Sequence, residues 1–270
     1  MSVEWWALSF LAGVLAQFVD MMTGMGFGVI ASSLMLAAGL PPVVVVATVN
    51  AVKVGNGLIA GLAHWGFGNV RREWLTPLSI SGVVGALIGA TLIGRLPEGA
   101  VRLWVSMILS LLGGVLLFRF LFFARGESLR MFPEAGSSAS EDRTEGVGRG
   151  GLSLIGIGFL GGFFNAMSGA YGPVMTTLLM LTRGGPPRYV VGTVSLAELF
   201  VAATSALSLL RALGAYDFPL WLPIAVMAGG IVAAPCGAYL CRHLPGRALE
   251  GVIGVAVVSL NVWNVVRAFA

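Results

Sequence analysis

The sequence predicts an all-α polytopic membrane protein. It has two homologous halves in inverted topology, each a broken, re-entrant first helix followed by three further transmembrane helices. That makes eight main helices and two short half-helices. Three observations predict it: a composition too apolar for water, a stretch that occurs twice, and, in each copy, a helix too short to cross a bilayer.

Hydrophobic residues make up 57% of the chain and charged ones only 10%, with a mean hydropathy of +0.92. A soluble domain carries about 25% charged residues, so the apolar runs are membrane segments. Lipid-exposed backbone must satisfy its own hydrogen bonds, which selects helices over open strands. The short alternating segments of a β-barrel are not what these long runs resemble. The net charge of +4 comes from arginines in connecting loops. They read as topology signals and not as a nucleic-acid surface. Cys236 and Cys241 fall on different faces of one helix, which disfavours a disulfide or a metal site. The N-terminal Met-Ser-Val-Glu-Trp-Trp has no basic region ahead of its apolar run, so it reads as a first membrane segment and not a cleaved signal.

In the first half, Trp5 to Met22 is an apolar run, interrupted by Gly24, Gly26 and Gly28. Val29 to Ala38 restarts it but spans only about 15 Å as a helix, against a hydrocarbon core of about 30 Å. Pro41-Pro42 stops that run and opens the next helix, Val43 to Ala63. His64 to Arg72 is a loop, and Glu73 to Ile93 and Glu98 to Phe123 are further spans. The second half follows the same plan: Leu152 to Met167, a break over Gly169 to Pro173, and a short run from Val174 to Leu181. Pro187 to Leu213, Phe218 to Leu240 and Leu249 to Ala268 complete it. Residues 1–124 are thus read as the first membrane repeat, 125–150 as a polar cytoplasmic linker and 151–270 as the second repeat.

A shift of 145 positions superposes Thr23–Lys53 on Ser168–Glu198 without a gap, with 12 of 31 residues identical. A shift of 148 then matches Leu96-Pro97 to Leu244-Pro245, and Gly82 and Gly89 to Gly230 and Gly237. Loop arginines decide the relative orientation of the copies. With an odd number of crossings per half, ten of them (Arg71, Arg72, Arg125, Arg130, Arg143, Arg149, Arg183, Arg188, Arg242 and Arg247) share one side. Four (Arg95, Arg102, Arg211 and Arg267) share the other, whereas an even number gives eight to six. The positive-inside rule favours the larger bias, hence inverted repeats, a cytoplasmic linker and periplasmic termini.

Inverted repeats with broken helices place a binding site where the breaks meet near the midplane. The expected site takes Thr23, Gly24, Met25 and Gly26 from the first break and Ser168, Gly169, Ala170, Tyr171 and Gly172 from the second. The helices that follow add Asn50 and Lys53, and Ser195, the counterpart of Asn50. Exposed N–H groups at helix starts favour an anion, and Lys53 would add positive charge. Asp20 and Glu198 are the other ionisable residues deep in apolar runs; either can serve as a coupling group or as the ion-pair partner of Lys53. Ser32, Asn56, Thr176 and Thr177 are weaker hydrogen-bonding candidates. His64 and the seven tryptophans read as interfacial anchors.

Gln17-Phe-Val-Asp20 with Gly24-Met-Gly-Phe-Gly28, His64 with Phe67-Gly-Asn-Val70, and Tyr171-Gly-Pro173 with Gly192-Thr-Val-Ser-Leu-Ala-Glu198 resemble the sulfite exporter TauE/SafE-like permeases. That resemblance implies movement of a small sulfur-containing anion (sulfite, thiosulfate or an organosulfonate) across a bacterial cytoplasmic (inner) membrane. The branch this chain resembles carries a glutamate where Lys53 stands, so its charge balance in the site differs. The expected function is a secondary transporter working by alternating access, with proton coupling open. A passive anion channel or facilitator, and a permease for a non-sulfur small anion, are the alternatives. No His-Glu-x-x-His or Walker sequence occurs. Neither enzyme activity nor ATP drive is expected, nor a cofactor or metal. The expected partners are the anion and the lipid bilayer, with homo-oligomerisation open.

Overall fold

The computed structural model describes residues 3–23, 26–123, 147–183, 187–214, 218–241 and 246–269. Among them the chain is helical and builds ten helices. These are α1 (Val3–Thr23), α2 (Phe27–Ala37), α3 (Pro42–Gly66), α4 (Arg72–Ile93), α5 (Glu98–Phe123), α6 (Val147–Ser168), α7 (Gly172–Arg183), α8 (Pro187–Leu213), α9 (Trp221–Cys241) and α10 (Gly246–Phe269). Most of the linker expected over 125–150 lies outside the described residues; its last four, 147–150, belong to α6.

The local reasons for these boundaries are simple. Pro42 and Pro187 are the first residues of α3 and α8, where a missing N–H costs nothing and the fixed φ favours a helical start. The short α2 and α7, of 11 and 12 residues, are about 16 and 18 Å long. Among the described residues four helices are long and apolar enough to cross a membrane: Pro42–Gly66, Arg72–Ile93, Glu98–Phe118 and Arg188–Leu213. Large apolar side chains such as Leu11, Ile59, Leu111, Leu207 and Ile231 point outward. In water such a surface would aggregate; here it is the face presented to lipid.

Packing links the first five helices to the last five. The most extensive pairings are α4 with α6, α1 with α9, α5 with α10 and α3 with α8. Exchanging each helix for the one five places along reproduces this set. Small residues allow the close approach that membrane packing favours, and they fix direction. Gly57 lies against Leu199 and Gly61 against Leu196, so α3 and α8 run antiparallel. Gly113 meets Val257 and Gly254 meets Leu117, so α5 and α10 do the same. Gly13 against Val226 and Gly230 against Gln17 make α1 and α9 parallel. Gly82 against Gly162 and Gly89 against Ala166 make α4 and α6 parallel.

At Gly82 and Gly162 the backbones of α4 and α6 touch, and a Cβ on Gly162 would strike the Gly82 carbonyl. Gly162→Ala should therefore lower the thermal stability of the detergent-purified protein, by about 1–3 kcal/mol for an overpacked contact. Gly156→Ala on the same helix faces open space and should leave the melting temperature unchanged.

Candidate functional site

The two breaks come together. α2 starts against the second break: Gly28 packs on Gly169, and the Ser32 hydroxyl donates to the Ser168 carbonyl at 2.8 Å. Beside them lies a cavity of about 130 Å³, lined by Asp20, Phe27, Gly28, Lys53, Asn56, Gly57, Ala60, Ala170, Tyr171, Gly172, Pro173, Ser195 and Glu198. A water needs about 10–15 Å³ measured this way. The cavity therefore has room for a small hydrated ion.

Lys53 dominates it. Lys53 and Glu198 are each the twelfth residue of their helix, α3 and α8, and their side chains form an ion pair. The same ammonium donates to Asn165 Oδ1 at 3.1 Å and to the Gly169 carbonyl at 2.9 Å. Gly169 can present that carbonyl because its φ is 75°, a left-handed conformation open to glycine and strained for other residues. Asn165 in turn donates to Asn50 Oδ1 at 2.6 Å and to Ser205 Oγ at 3.2 Å. Asn50 and Ser205 are anchored on the carbonyls of Val46 and Val201. Asn50, Asn165 and Ser205 are fully buried.

Of the two pairings open to Lys53, the structure takes Glu198. Asp20 does something else: its Oδ1 accepts from the Gly26 and Phe27 N–H groups at 2.8 and 3.0 Å. A carboxylate there satisfies the free donors and the positive end of α2. Two of the N–H groups expected to face an anion are thus already occupied by the chain's own carboxylate. At the second break Ser168 turns inward, donating to the Phe164 carbonyl and accepting from the Ala170 N–H.

The other expected site residues distribute as follows. Ala170, Tyr171, Gly172 and Ser195 line the cavity with Lys53, Asp20 and Glu198. Asn50 lies behind it, bracing Asn165. Gly26 is engaged by Asp20. Thr23 closes α1 with its side chain outside the described residues, as are Gly24 and Met25. Asn165, 145 positions after Asp20 and so its match under the same shift, is the hub of the network and was not among the expected site residues. Asn56 donates to Gln17 Oε1 at 3.4 Å on the cavity side of α3. Among the described tryptophans, Trp74 is buried in the protein: it and Tyr189 flank the Arg71 guanidinium at 5.1 and 4.9 Å.

An apolar helical bundle with a small cavity and a buried ion pair between α3 and α8 is compatible with a membrane transporter. Comparison with known proteins agrees. The family described as sulfite exporter TauE/SafE matches residues 9–263. The chain is also 34% identical over 251 residues to the "Probable membrane transporter protein YtnM" of Bacillus subtilis (strain 168), covering 92% of this chain and 79% of that protein. No solved structure matches. The chain belongs to the TauE/SafE family of multi-pass membrane transporters.

Breaking a buried pair leaves one charge uncompensated, at a cost of about 3–5 kcal/mol. Lys53→Met should lower stability by that order, and Lys53→Met with Glu198→Gln should recover most of it. Thermal unfolding of the two variants in detergent checks this; equal losses in both would show that the pair contributes little.

Proposed function

We propose that this chain is a secondary transporter for a small sulfur-containing anion in a bacterial inner membrane, working by alternating access between inverted halves. The carrying observation is Lys53, a buried ammonium on the wall of a small cavity between two helix breaks. A charge that deep in an apolar bundle is costly and marks a functional site. Its position near the middle of α3 suits a site near the membrane midplane. The cavity volume fits sulfite or thiosulfate. The family's description as a sulfite exporter points to sulfur oxyanions among the small anions.

The helix directions support inverted halves. A two-fold axis in the membrane plane turns α3 antiparallel to α8 and α5 antiparallel to α10, while leaving α1 parallel to α9 and α4 parallel to α6. The packing contacts follow that pattern. The arginines divide in the same sense. Arg71 donates its N–H to Thr193 and lies against Tyr189, beside Arg188, at one end of the bundle. Gly94 packs on Ala212 at the other end, next to Arg95 and Arg211. The positive-inside rule then assigns the Arg71 end to the cytoplasm and both termini to the periplasm.

Two experiments test this reading. Reconstituted liposomes offered sulfite, thiosulfate, sulfoacetate, sulfate and a carboxylate control should show saturable flux for a sulfur anion. Lys53→Ala should weaken it about tenfold or more, the scale of a charge-assisted hydrogen bond; no saturable sulfur-anion flux overturns the substrate. For topology, Ser137→Cys in a Cys236→Ser, Cys241→Ser background should react with an impermeant maleimide only after the cells are opened. Labelling of intact cells overturns the cytoplasmic linker.

A further inference from the structure

We propose that the Glu198 carboxylate is a tethered stand-in for the transported anion: substrate binds by taking its place on Lys53, and Glu198 takes up a proton as it leaves. This rests on the reading of Lys53 as the counter-ion of the substrate.

An ammonium has three donors, and Lys53 has three partners: Asn165 Oδ1, the Gly169 carbonyl and Glu198. An incoming anion must therefore displace one of them. Asn165 is fully buried and held by Asn50 and Ser205. The Gly169 carbonyl is fixed in a left-handed turn. Glu198 is the one free to move. Its side chain is 20% exposed against 8% for Lys53. It lines the cavity, and among the described residues nothing besides Lys53 is bonded to it. The place it occupies is one that an oxyanion fits, because a carboxylate presents the same chemistry to an ammonium.

Displacement leaves Glu198 as a carboxylate in a narrow cavity, facing both the arriving anion and the carboxylate of Asp20. Asp20 cannot take over the exchange, since it caps α2. Among the described residues no other cation is bonded to the pair. Arg71, Arg72 and Glu73 lie at the start of α4, where Arg71 meets Thr193, about 7 Å along α8 from Glu198. His64, on the last turn of α3, is bonded to Asn69, and Arg183 is at the far end of α7. The hydroxyl of Tyr171, buried near Gly82, is close enough to feel the charge of Glu198 but makes no hydrogen bond to it. A solvent proton entering through the cavity neutralises the freed carboxylate, so one anion and one proton bind together. When both leave, the Lys53–Glu198 pair re-forms and closes the empty site.

The test is thiosulfate binding to the purified full-length protein across mildly acidic to mildly alkaline pH, a range over which the charge of thiosulfate is constant. Wild-type affinity should rise as pH falls, by up to about tenfold per pH unit, the limit for one coupled proton. Glu198→Gln cannot compete for Lys53 as a charge. It should bind more tightly at alkaline pH and show a flat profile. In weak buffer, wild-type binding should also take up one proton per anion, a readout that needs no variant. Binding to Glu198→Gln alone, with none to wild type, would also support the exchange. A Glu198→Gln profile like that of wild type, or no proton uptake, overturns the exchange and leaves Lys53 as the anion's counter-ion. Wild-type binding in Lys53→Met, or none in either wild type or Glu198→Gln, overturns the underlying site.

Discussion

A positive charge in the middle of an apolar bundle must be satisfied from within, and the arrangement around Lys53 is how this chain does it. The ammonium sits on a helix of the first half, and all three of its partners come from after residue 147. Each partner needs its own support. Asn165 must end α6 in the right place, Gly169 must turn left-handed, and α8 must cross α3 so that its twelfth residue arrives opposite. The crossing depends on Gly57 and Gly61, which let α8 approach the α3 backbone. The close contact of α4 with α6 carries Asn165 toward the same point. Local backbone, helix packing and site chemistry are therefore one constraint seen at three scales.

The duplicated stretch is symmetric in sequence and asymmetric in use. At position 20 an aspartate turns back to cap the helix that follows it. At the matched position 165 an asparagine turns across to the other half and holds Lys53. The carboxylate stabilises one helix tip, while the amide, with both donor and acceptor groups, can join Lys53 to Asn50 and Ser205 at once. One substitution between copies thus separates a structural end from a polar centre.

Much of the helix order was legible because it depends on local signals. Proline pairs open α3 and α8, glycines precede α2 and α7, and apolar runs set the lengths. Lys53, Glu198 and Asp20 stood out because ionisable residues are rare in such runs. What could not be read was who meets whom. Asp20 and Glu198 were equal candidates for Lys53, and only the path of the chain after α1 turns Asp20 toward its own neighbours. Ser205 resembles any serine in a membrane helix, and its value lies in facing Asn165. Trp74 looked like the other tryptophans until packing placed it inward against Arg71.

The crosswise pairing of helices also bears on how the protein is made. α1 packs on α9 and α4 on α6, so the first helix waits for a partner encoded roughly 200 residues later. At translation speeds of about 5–20 residues per second that is about 10–40 s. Lys53 itself precedes Asn165, Gly169 and Glu198 by 112, 116 and 145 residues, about 6–29 s at the same speed. Until then the ammonium lacks the partners it has in the finished bundle, and long basic side chains of this kind reach toward the membrane interface. The final setting of Lys53 among its three partners therefore comes only with the second half of the chain.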